Sequence, residues 1–171
     1  MSIPILFREP RLEDGAKVYA LIRACPPLDV NSAYAYFLLS DHFRQTTVVA
    51  ESEGRLVGCI TAYLRPDQPD VVFVWQVAVH ADARGQGLAR RMLDEVANRP
   101  AVANAKWMET TISPSNAPSR RLFASWAESR QVPIEESAYL TPEHFQPAGG
   151  DASHASHEAE CLFRIGPLRD S

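Results

Sequence analysis

One stretch of the chain has residue types that could bind an anionic ligand. An apolar segment that ends in Val77-Ala78-Val79 is followed by Arg84-Gly85-Gln86-Gly87, and helix-forming residues begin at Leu88. Amide N–H groups at the start of a helix attract an anion, and the helix dipole adds to this attraction. Glycines let the backbone approach a diphosphate closely, and Arg84 and Arg90 could supply positive charge. A tight turn that binds nothing would use the same residue types, and the Gly-Lys-Ser/Thr ending of a nucleoside-triphosphate loop is missing.

Two acidic residues offer a second kind of chemistry. Lys106 to Ile112 predicts a strand, and Glu109 and Thr111 would share one face of it because side chains alternate. An acidic residue there either belongs to a solvated face or an ion pair, or takes up a proton in a reaction. Asp29 lies in a proline-rich turn, where it either serves as a cap or turn residue or binds a cation.

Three further side chains also have two interpretations. Trp75, on an apolar strand, either packs in the core or forms a wall over a substrate cation. Tyr34 either donates its hydroxyl to a ligand or packs beside Phe37 and Leu38 on one helix face. His157, judged from its surroundings alone, is a surface histidine, although a mobile loop could bring it to a ligand.

The hydrophobic pattern predicts the elements that position these residues. The Glu53-Gly54 pair predicts a hairpin, Gly58 a bulge, and Asn31 or Ser32 the start of the second helix. Val71 to Val79 is apolar in both phases, which predicts a central strand buried on both faces. Strands are predicted at 3–8, 46–51, 55–64, 71–79, 106–112, 132–139 and 160–165, and helices after Pro10, Ser32, Gly87 and Asn116.

This order of elements is typical of an α/β protein with a mixed sheet and helices on both faces. The chain has 171 residues, of which 46% are hydrophobic and 22% charged, so we expect a single domain spanning residues 1–171. The net charge of −4 argues against a nucleic-acid partner and suits a cationic ligand. Without a leader or an apolar run of about 20 residues, we expect a cytoplasmic protein with no membrane partner.

The spacing of the cysteines and histidines favours neither disulfide bonds nor a metal site. The three cysteines are too few and too scattered for disulfides and are predicted to be buried thiols: Cys25, Cys59 and Cys161. His144, His154, His157 and Cys161 are irregularly spaced without a CxxC or HExxH motif, so no metal site is predicted. The Gly149-Gly150 segment predicts a mobile loop.

The turn after Val79 resembles the acetyl-CoA pyrophosphate motif of the GNAT superfamily of N-acetyltransferases. That motif has Gln or Arg first, Gly fourth and Gly or Ala sixth, and this chain has Arg84-x-x-Gly87-x-Ala89. The resemblance implies the GNAT acyl-CoA N-acyltransferase fold, with a mostly antiparallel sheet, and acetyl-CoA as cosubstrate. It also implies that the backbone of Val77 and Val79 pairs with the pantetheine arm. The cofactor site that it implies comprises Val77, Ala78, Val79, Arg84, Gly85, Gln86, Gly87, Leu88, Ala89, Arg90, Asn116, Ser119 and Phe123.

Four segments together resemble the diaminobutyrate acetyltransferases of ectoine biosynthesis. They are Leu28-Asp29-Val30-Asn31-Ser32-x-Tyr34, Val74-Trp75-Gln76-Val77-Ala78-Val79, Glu109-Thr110-Thr111-Ile112-Ser113-Pro114-Ser115-Asn116, and His157-Glu158 with Leu162-Phe163-Arg164-Ile165. The resemblance implies acetylation of the terminal (γ) amine of L-2,4-diaminobutyrate, whose product a cyclase closes to the osmoprotectant ectoine. It implies that the substrate contacts are Asp29, Tyr34, Trp75, Glu109, Thr111 and His157. Homodimers are common in this superfamily, so a homodimer is expected.

Acetylation of an amine requires removal of a proton. An alkyl ammonium has a pKa of about 10.4, so its free amine costs on the order of 4 kcal/mol at neutral pH, and a second ammonium nearby lowers that cost. Glu109 and Asn116 are the predicted catalytic residues, Glu109 as a proton relay through water and Asn116 or Tyr34 as a hydrogen-bond donor. Many GNAT enzymes have a tyrosine seven residues after such an asparagine that protonates the thiolate. Phe123 stands there in this chain, which leaves the general acid unassigned.

Two other functions remain open at this point. One is a GNAT enzyme for a different small amine or for a protein N-terminus. The other is a CoA-binding sensor without catalysis, which Phe123 favours and which Glu109 and Asn116 disfavour.

Overall fold

A computed structural model describes residues 4–146 and 157–169. The strands are β1 (Leu6–Arg8), β2 (Val48–Ser52), β3 (Arg55–Arg65), β4 (Gln68–Val79), β5 (Trp107–Ile112), β6 (Ile134–Leu140) and β7 (Glu160–Ile165), and the helices are α1 (Gly15–Arg23), α2 (Ala33–Asp41), α3 (Leu88–Asn98) and α4 (Ala117–Ser129). The chain divides into two compact units, Met1–Lys106 and Trp107–Ser171. The single-domain expectation stays a prediction. In the part of the chain that the structure describes, no helix has the length and apolar character that a membrane span requires.

The first unit contains four antiparallel strands in the order β1-β2-β3-β4. Glu53 and Gly54 both have positive φ angles, 50° and 77°, which is the conformation that a tight two-residue hairpin turn needs. The register of β2 with β3 shifts after Ala50, which pairs with Gly58. The predicted hairpin and the predicted bulge are therefore both confirmed.

Helices cover both faces of these strands. Cys59 packs in one apolar cluster with Ile22 of α1 and Tyr36 of α2. The neighbouring residue in β3, Gly58, faces α3, because a Cβ added to it would lie 3.0 Å from the side chain of Met92. Side chains of adjacent strand residues point to opposite faces, so α1 and α2 lie on one side of β3 and α3 lies on the other.

The second unit contains three antiparallel strands in the order β5-β7-β6 and the helix α4. Arg120 of α4 forms a bidentate ion pair with Glu136 of β6, at 2.8 and 3.1 Å, and its guanidinium lies 5.0 Å from the ring centre of Phe163 in β7. These contacts join the helix to two of the three strands.

Two local predictions were wrong. The helix face of Tyr34, Phe37 and Leu38 is not the buried one: α2 buries Tyr36, Leu39 and Ser40 instead. The strand β4 is buried on both faces only at Val71 and Val72, and from Val74 to Val79 its exposure alternates. Gly149-Gly150 lies outside the described residues.

Candidate functional site

The turn between β4 and α3 has the conformation that its glycines allow. Gly85 and Gly87 have φ angles of 75° and 67°, values that side chains with a Cβ rarely adopt. A Cβ built at either position would meet no atom within 4 Å. The glycines are thus required by the backbone conformation, and the space beside them is open.

This turn ends where α3 begins, with Gly87 as the N-cap residue. Glycine has no side chain, and among the described residues no side chain caps the start of this helix. The residues from Arg84 to Gly87 and Arg90 are exposed. The start of α3 therefore combines accessible first-turn N–H groups, the positive end of the helix dipole and two arginines, which is a suitable site for an anion. The sequence prediction that a strand precedes the turn and a helix follows it is confirmed.

Two predicted cofactor residues contact each other. The Nε of Arg84 donates a hydrogen bond to the carbonyl oxygen of Val79 at 3.1 Å. The thiol of Cys25 lies 3.4 Å from the same oxygen. Arg84 is therefore anchored to the end of β4, while its guanidinium remains a charged group beside the turn.

The strand β4 changes register at Trp75. Thr61 of β3 pairs with Gln76, whereas the next residue, Ala62, pairs with Val74, so Trp75 is an extra residue on β4. Trp75 is 44% exposed, which excludes the core interpretation of this residue. An exposed indole at a bulge can cover a ligand.

The loop between α1 and α2 carries Asp29, which is exposed. The helix cap of α2 is Ser32, whose Oγ accepts the N–H of Ala35 at 3.4 Å, so Asp29 does not serve as that cap. The carbonyl oxygen of Asp29 accepts a hydrogen bond of 2.6 Å from Nε2 of Gln76. Tyr34, the second residue of α2, is 70% exposed, which excludes packing in the core.

In the second unit Glu109 is buried, with an exposure of 1%, and its Oε1 lies 3.3 Å from Nη1 of Arg164. The Arg164 guanidinium also lies 4.5 Å from the ring centre of Trp107. Of the alternatives for Glu109, the solvated face is wrong and the ion pair is present. Sequence reasoning did not identify Arg164 as its partner. Their pairing in register on β5 and β7 could have been found only with the strand order known.

Three predicted residues lie at the start of α4 or within it. Asn116 is the N-cap, and its Oδ1 accepts the N–H of Ser119 at 3.2 Å. The Asn116 side chain still carries an NH₂ group that can donate. Phe123 is 2% exposed and has no group that can donate a proton. Thr111 on β5 is half-buried.

His157 and Glu158 precede β7. The ring of His157 stacks on Phe145 with 3.8 Å between centres, and its Nδ1 lies 2.7 Å from the carbonyl oxygen of Glu158. The Glu158 carboxylate accepts hydrogen bonds from the N–H and Oγ of Ser115, at 2.9 and 2.5 Å. The hydrogen bond from the Ser115 hydroxyl is the main reason why the pKa of Glu158 lies below its usual value. Glu158 therefore anchors the segment that carries His157 to the turn before α4.

Cysteine and metal chemistry are limited in the described residues. Cys25 and Cys59 are buried thiols as predicted, whereas Cys161 is half-buried. Burial raises the pKa of Cys59 to about 12. Residues 4–146 and 157–169 contain no group of three His, Cys, Asp or Glu side chains that could hold a metal ion. His154 lies outside those ranges.

Comparisons with known proteins identify the family. The model of the acetyltransferase (GNAT) family matches residues 16–127. The L-2,4-diaminobutyric acid acetyltransferase of Bordetella parapertussis is 47% identical over 162 residues, which cover 94% of this chain and 83% of the relative. The enzyme of the same name from Halomonas elongata is 43% identical over 167 residues, 97% of this chain and 83% of its own.

A solved structure agrees with these relatives. The diaminobutyrate acetyltransferase of Paenibacillus lautus, in complex with its substrate L-2,4-diaminobutyric acid and coenzyme A, is 41% identical to this chain. Its TM-score is 0.92, and the match covers 99% of both chains. The predicted fold class, a GNAT fold with a mostly antiparallel sheet, is confirmed. The chain belongs to the GNAT family of acetyltransferases and, within it, to the group of the L-2,4-diaminobutyric acid acetyltransferases.

Proposed function

We propose that this chain transfers the acetyl group of acetyl-CoA to the terminal (γ) amine of L-2,4-diaminobutyrate. The product is N4-acetyl-L-2,4-diaminobutyrate, an intermediate of ectoine biosynthesis. The proposal rests on the likeness, with 41% identity and a TM-score of 0.92, to an enzyme solved with L-2,4-diaminobutyric acid and coenzyme A. The names of the relatives with 47% and 43% identity support the same substrate.

Acetyl-CoA is proposed to bind with its diphosphate at the turn before α3. The open space beside Gly85 and Gly87 supports this, since a diphosphate needs close approach to the first-turn N–H groups. Arg84 and Arg90 would add positive charge at the edge of the turn. The pantetheine arm would follow the backbone of Val77 to Val79, and the remaining cofactor contacts are Gln86, Leu88, Ala89, Asn116, Ser119 and Phe123.

The diamine is proposed to bind through its two ammonium groups. Asp29 would pair with one of them, and the indole of Trp75 would provide a cation–π contact. The exposure of Asp29, Trp75 and Tyr34 supports this, because a ligand can reach all three. His157 would bind the substrate carboxylate, and Thr111 would contribute a hydroxyl.

The reaction needs a proton acceptor and a good electrophile. The γ-ammonium loses a proton, and the free amine attacks the thioester carbonyl. The tetrahedral intermediate then releases the CoA thiolate, and the nitrogen loses its second proton, which converts the thiolate to the CoA thiol. Glu109 would hold the ammonium and take up the proton through a water relay, because a carboxylate that is 1% exposed and paired with Arg164 has little direct access to a ligand. Asn116 or Tyr34 would donate a hydrogen bond. Because a thiol has a pKa of about 8.5, its thiolate can leave without a tyrosine that acts as an acid.

An amine panel tests the substrate. Acetyl-CoA consumption is measured with diaminobutyrate, lysine, ornithine and spermidine, and the product is assigned by NMR. We expect kcat/KM to be at least about tenfold higher for diaminobutyrate, because a site with paired cation contacts discriminates by length. Equal rates with all four amines would contradict the assignment.

A variant of Glu109 tests the catalytic role. Glu109→Gln keeps the shape of the side chain but cannot accept a proton, so kcat should fall by about 10²- to 10⁴-fold while the Kd for acetyl-CoA stays unchanged. The matched control is Glu135→Gln on β6, an exposed glutamate that should leave kcat as it is. Wild-type kcat in Glu109→Gln would remove Glu109 from the mechanism.

Assembly and location are part of the proposal. A homodimer is supported by β6, whose residues are largely exposed and include Tyr139 at 54%, since an open strand is a ready surface for another chain. Sedimentation velocity of the wild type and of Tyr139→Arg tests this.

We further propose that residues 1–171 form a single acetyltransferase domain. A cytoplasmic location is proposed because the reaction consumes acetyl-CoA, a metabolite of the cell interior.

A further inference from the structure

A buried hydrogen-bond network joins the loop that carries Asp29 to β4. The Tyr36 hydroxyl donates to Oε1 of Gln76 at 3.1 Å, and Nε2 of Gln76 donates to the carbonyl oxygen of Asp29 at 2.6 Å. Tyr36 is fully buried and Gln76 is 6% exposed. Hydrogen bonds of this kind are strengthened by burial because water does not compete for them.

Tyr36 and Gln76 each donate one hydrogen bond and accept another in this network. The backbone N–H of Asn31 donates to the Tyr36 hydroxyl oxygen at 3.2 Å, so this hydroxyl donates once and accepts once. The carboxamide of Gln76 accepts through its oxygen and donates through its nitrogen. Its backbone N–H donates to Oγ1 of Thr61 at 3.1 Å, which ties the residue to β3. Only one orientation of the Gln76 amide satisfies all of these contacts.

The position of Gln76 gives the network a functional meaning. Gln76 directly follows the extra residue Trp75 and directly precedes Val77. Two backbone groups of the exposed loop, the carbonyl of Asp29 and the N–H of Asn31, are held by it. The loop belongs to no helix or strand, and these two bonds tie its backbone to Tyr36 and to Gln76, the neighbour of Trp75.

We propose that Gln76 and Tyr36 are positioning residues that hold Asp29 and Trp75 at the separation the diamine requires. This inference rests on the proposed function. A substrate with two cationic groups at a fixed spacing is bound well only when its two contacts are themselves held at a matching spacing. The cofactor turn at Gly85 and Gly87 takes no part in the network.

The test compares the KM for diaminobutyrate with the Kd for acetyl-CoA in the same variants. Tyr36→Phe removes the hydroxyl and releases both the Gln76 oxygen and the Asn31 N–H. We expect KM for diaminobutyrate to rise by about tenfold or more, with the Kd for acetyl-CoA within about twofold of the wild type. The control is Tyr19→Phe, since the Tyr19 ring packs 5.9 Å from that of Tyr36 on the neighbouring helix; its KM should stay at the wild-type value.

A second variant keeps the test decisive if Tyr36→Phe does not fold. Gln76→Met has a similar length but can neither donate to Asp29 nor accept from Tyr36, so the same rise in KM is expected. If the wild type does not acetylate diaminobutyrate, the proposed function fails. If the wild type is active and a folded variant has the KM of Tyr19→Phe, the positioning role is wrong.

Discussion

Glu109 and Arg164 depend on each other unequally. The carboxylate of Glu109 is 1% exposed, whereas the side chain of Arg164 is 35% exposed. Removing a charge from water costs several kcal/mol unless a partner offsets it. Loss of Arg164 therefore leaves a buried negative charge without this partner, while loss of Glu109 leaves an arginine that reaches water.

This asymmetry predicts the order of three variants. Arg164→Met should lower the free energy of unfolding by about 3 kcal/mol, and Glu109→Gln should lower it by less. The double variant Glu109→Gln/Arg164→Met should be more stable than Arg164→Met alone, because the buried negative charge has gone. Urea unfolding at pH 7 measures all three. A double variant less stable than both single variants would show that packing, and not charge, dominates this pair.

A variant of Gly87 can separate the cost of backbone strain from the loss of acetyl-CoA binding. Alanine at a φ of 67° costs about 1 kcal/mol of strain, and its Cβ would occupy the open space beside the first turn of α3. Gly87→Ala should therefore lose about 1 kcal/mol of stability and raise the Kd for acetyl-CoA by about tenfold. Gly54→Ala is the matched control, since Gly54 has a φ of 77° and similarly open surroundings in the hairpin. Equal Kd values in the two variants, by calorimetry, would count against the cofactor turn.

At the scale of elements, α3 approaches β3 through Gly58. A Cβ there would lie 3.0 Å from Met92 and 3.2 Å from Leu88, which is closer than ordinary packing. Gly58→Val should destabilise the protein by about 1–3 kcal/mol through overpacking. Shortening the opposing side chain in Gly58→Val/Met92→Ala should restore part of the loss, as thermal unfolding would show. Full stability of Gly58→Val alone would mean that the flexible end of the Met92 side chain moves aside without cost.

Elements with local causes could be predicted from the sequence. The hairpin at Glu53-Gly54, the cap at Ser32 and the glycine turn before α3 depend on conformations that a few adjacent residues dictate. The exposure of Trp75, the Tyr36–Gln76 network and the Arg164 partner of Glu109 depend on which strands pair and in which register. The apolar run of β4 gave no sign of its bulge, because the extra residue is itself apolar.

At the scale of the whole molecule, an ion-pair network around Arg8 contributes to the response to acid. Arg8 binds Asp14 at 2.6 Å and Glu51 at 2.6 Å, which joins β1, the turn before α1 and β2. Burial by itself would raise the pKa of Asp14, but the hydrogen bonds from Arg8 and from the N–H of Arg11 lower it below its usual value. A carboxylate with a lowered pKa stabilises the folded state above the usual Asp pKa of about 4, and this stabilisation is lost as the pH falls through the folded-state pKa.

Asp14→Asn should therefore reduce stability at pH 7 by about 1–2 kcal/mol, and the difference from the wild type should shrink below about pH 4. Denaturant unfolding at pH 7 and pH 3 measures it. The control is Asp67→Asn, because the Asp67–Arg65 pair lies on the surface and such pairs contribute little. A difference that stays constant across this pH range would assign the effect of Asp14 to shape and not to ionisation.

The extra residue at Trp75 also determines how the chain tolerates insertions and deletions. Before it, β4 pairs with β3 in one register, and after it the pairing is offset by one. Removing Trp75 alone would restore continuous pairing and leave Val74 opposite Ala62 and Gln76 opposite Thr61, as they are now. Because side chains alternate along a strand, the residues that follow would keep their faces. Val79 would stay on the side of α3, and Gln76 and Ala78 would stay on the side of α1 and α2. A chain shortened at this position is therefore expected to keep the packing of β3 and β4 and to lose only the exposed indole.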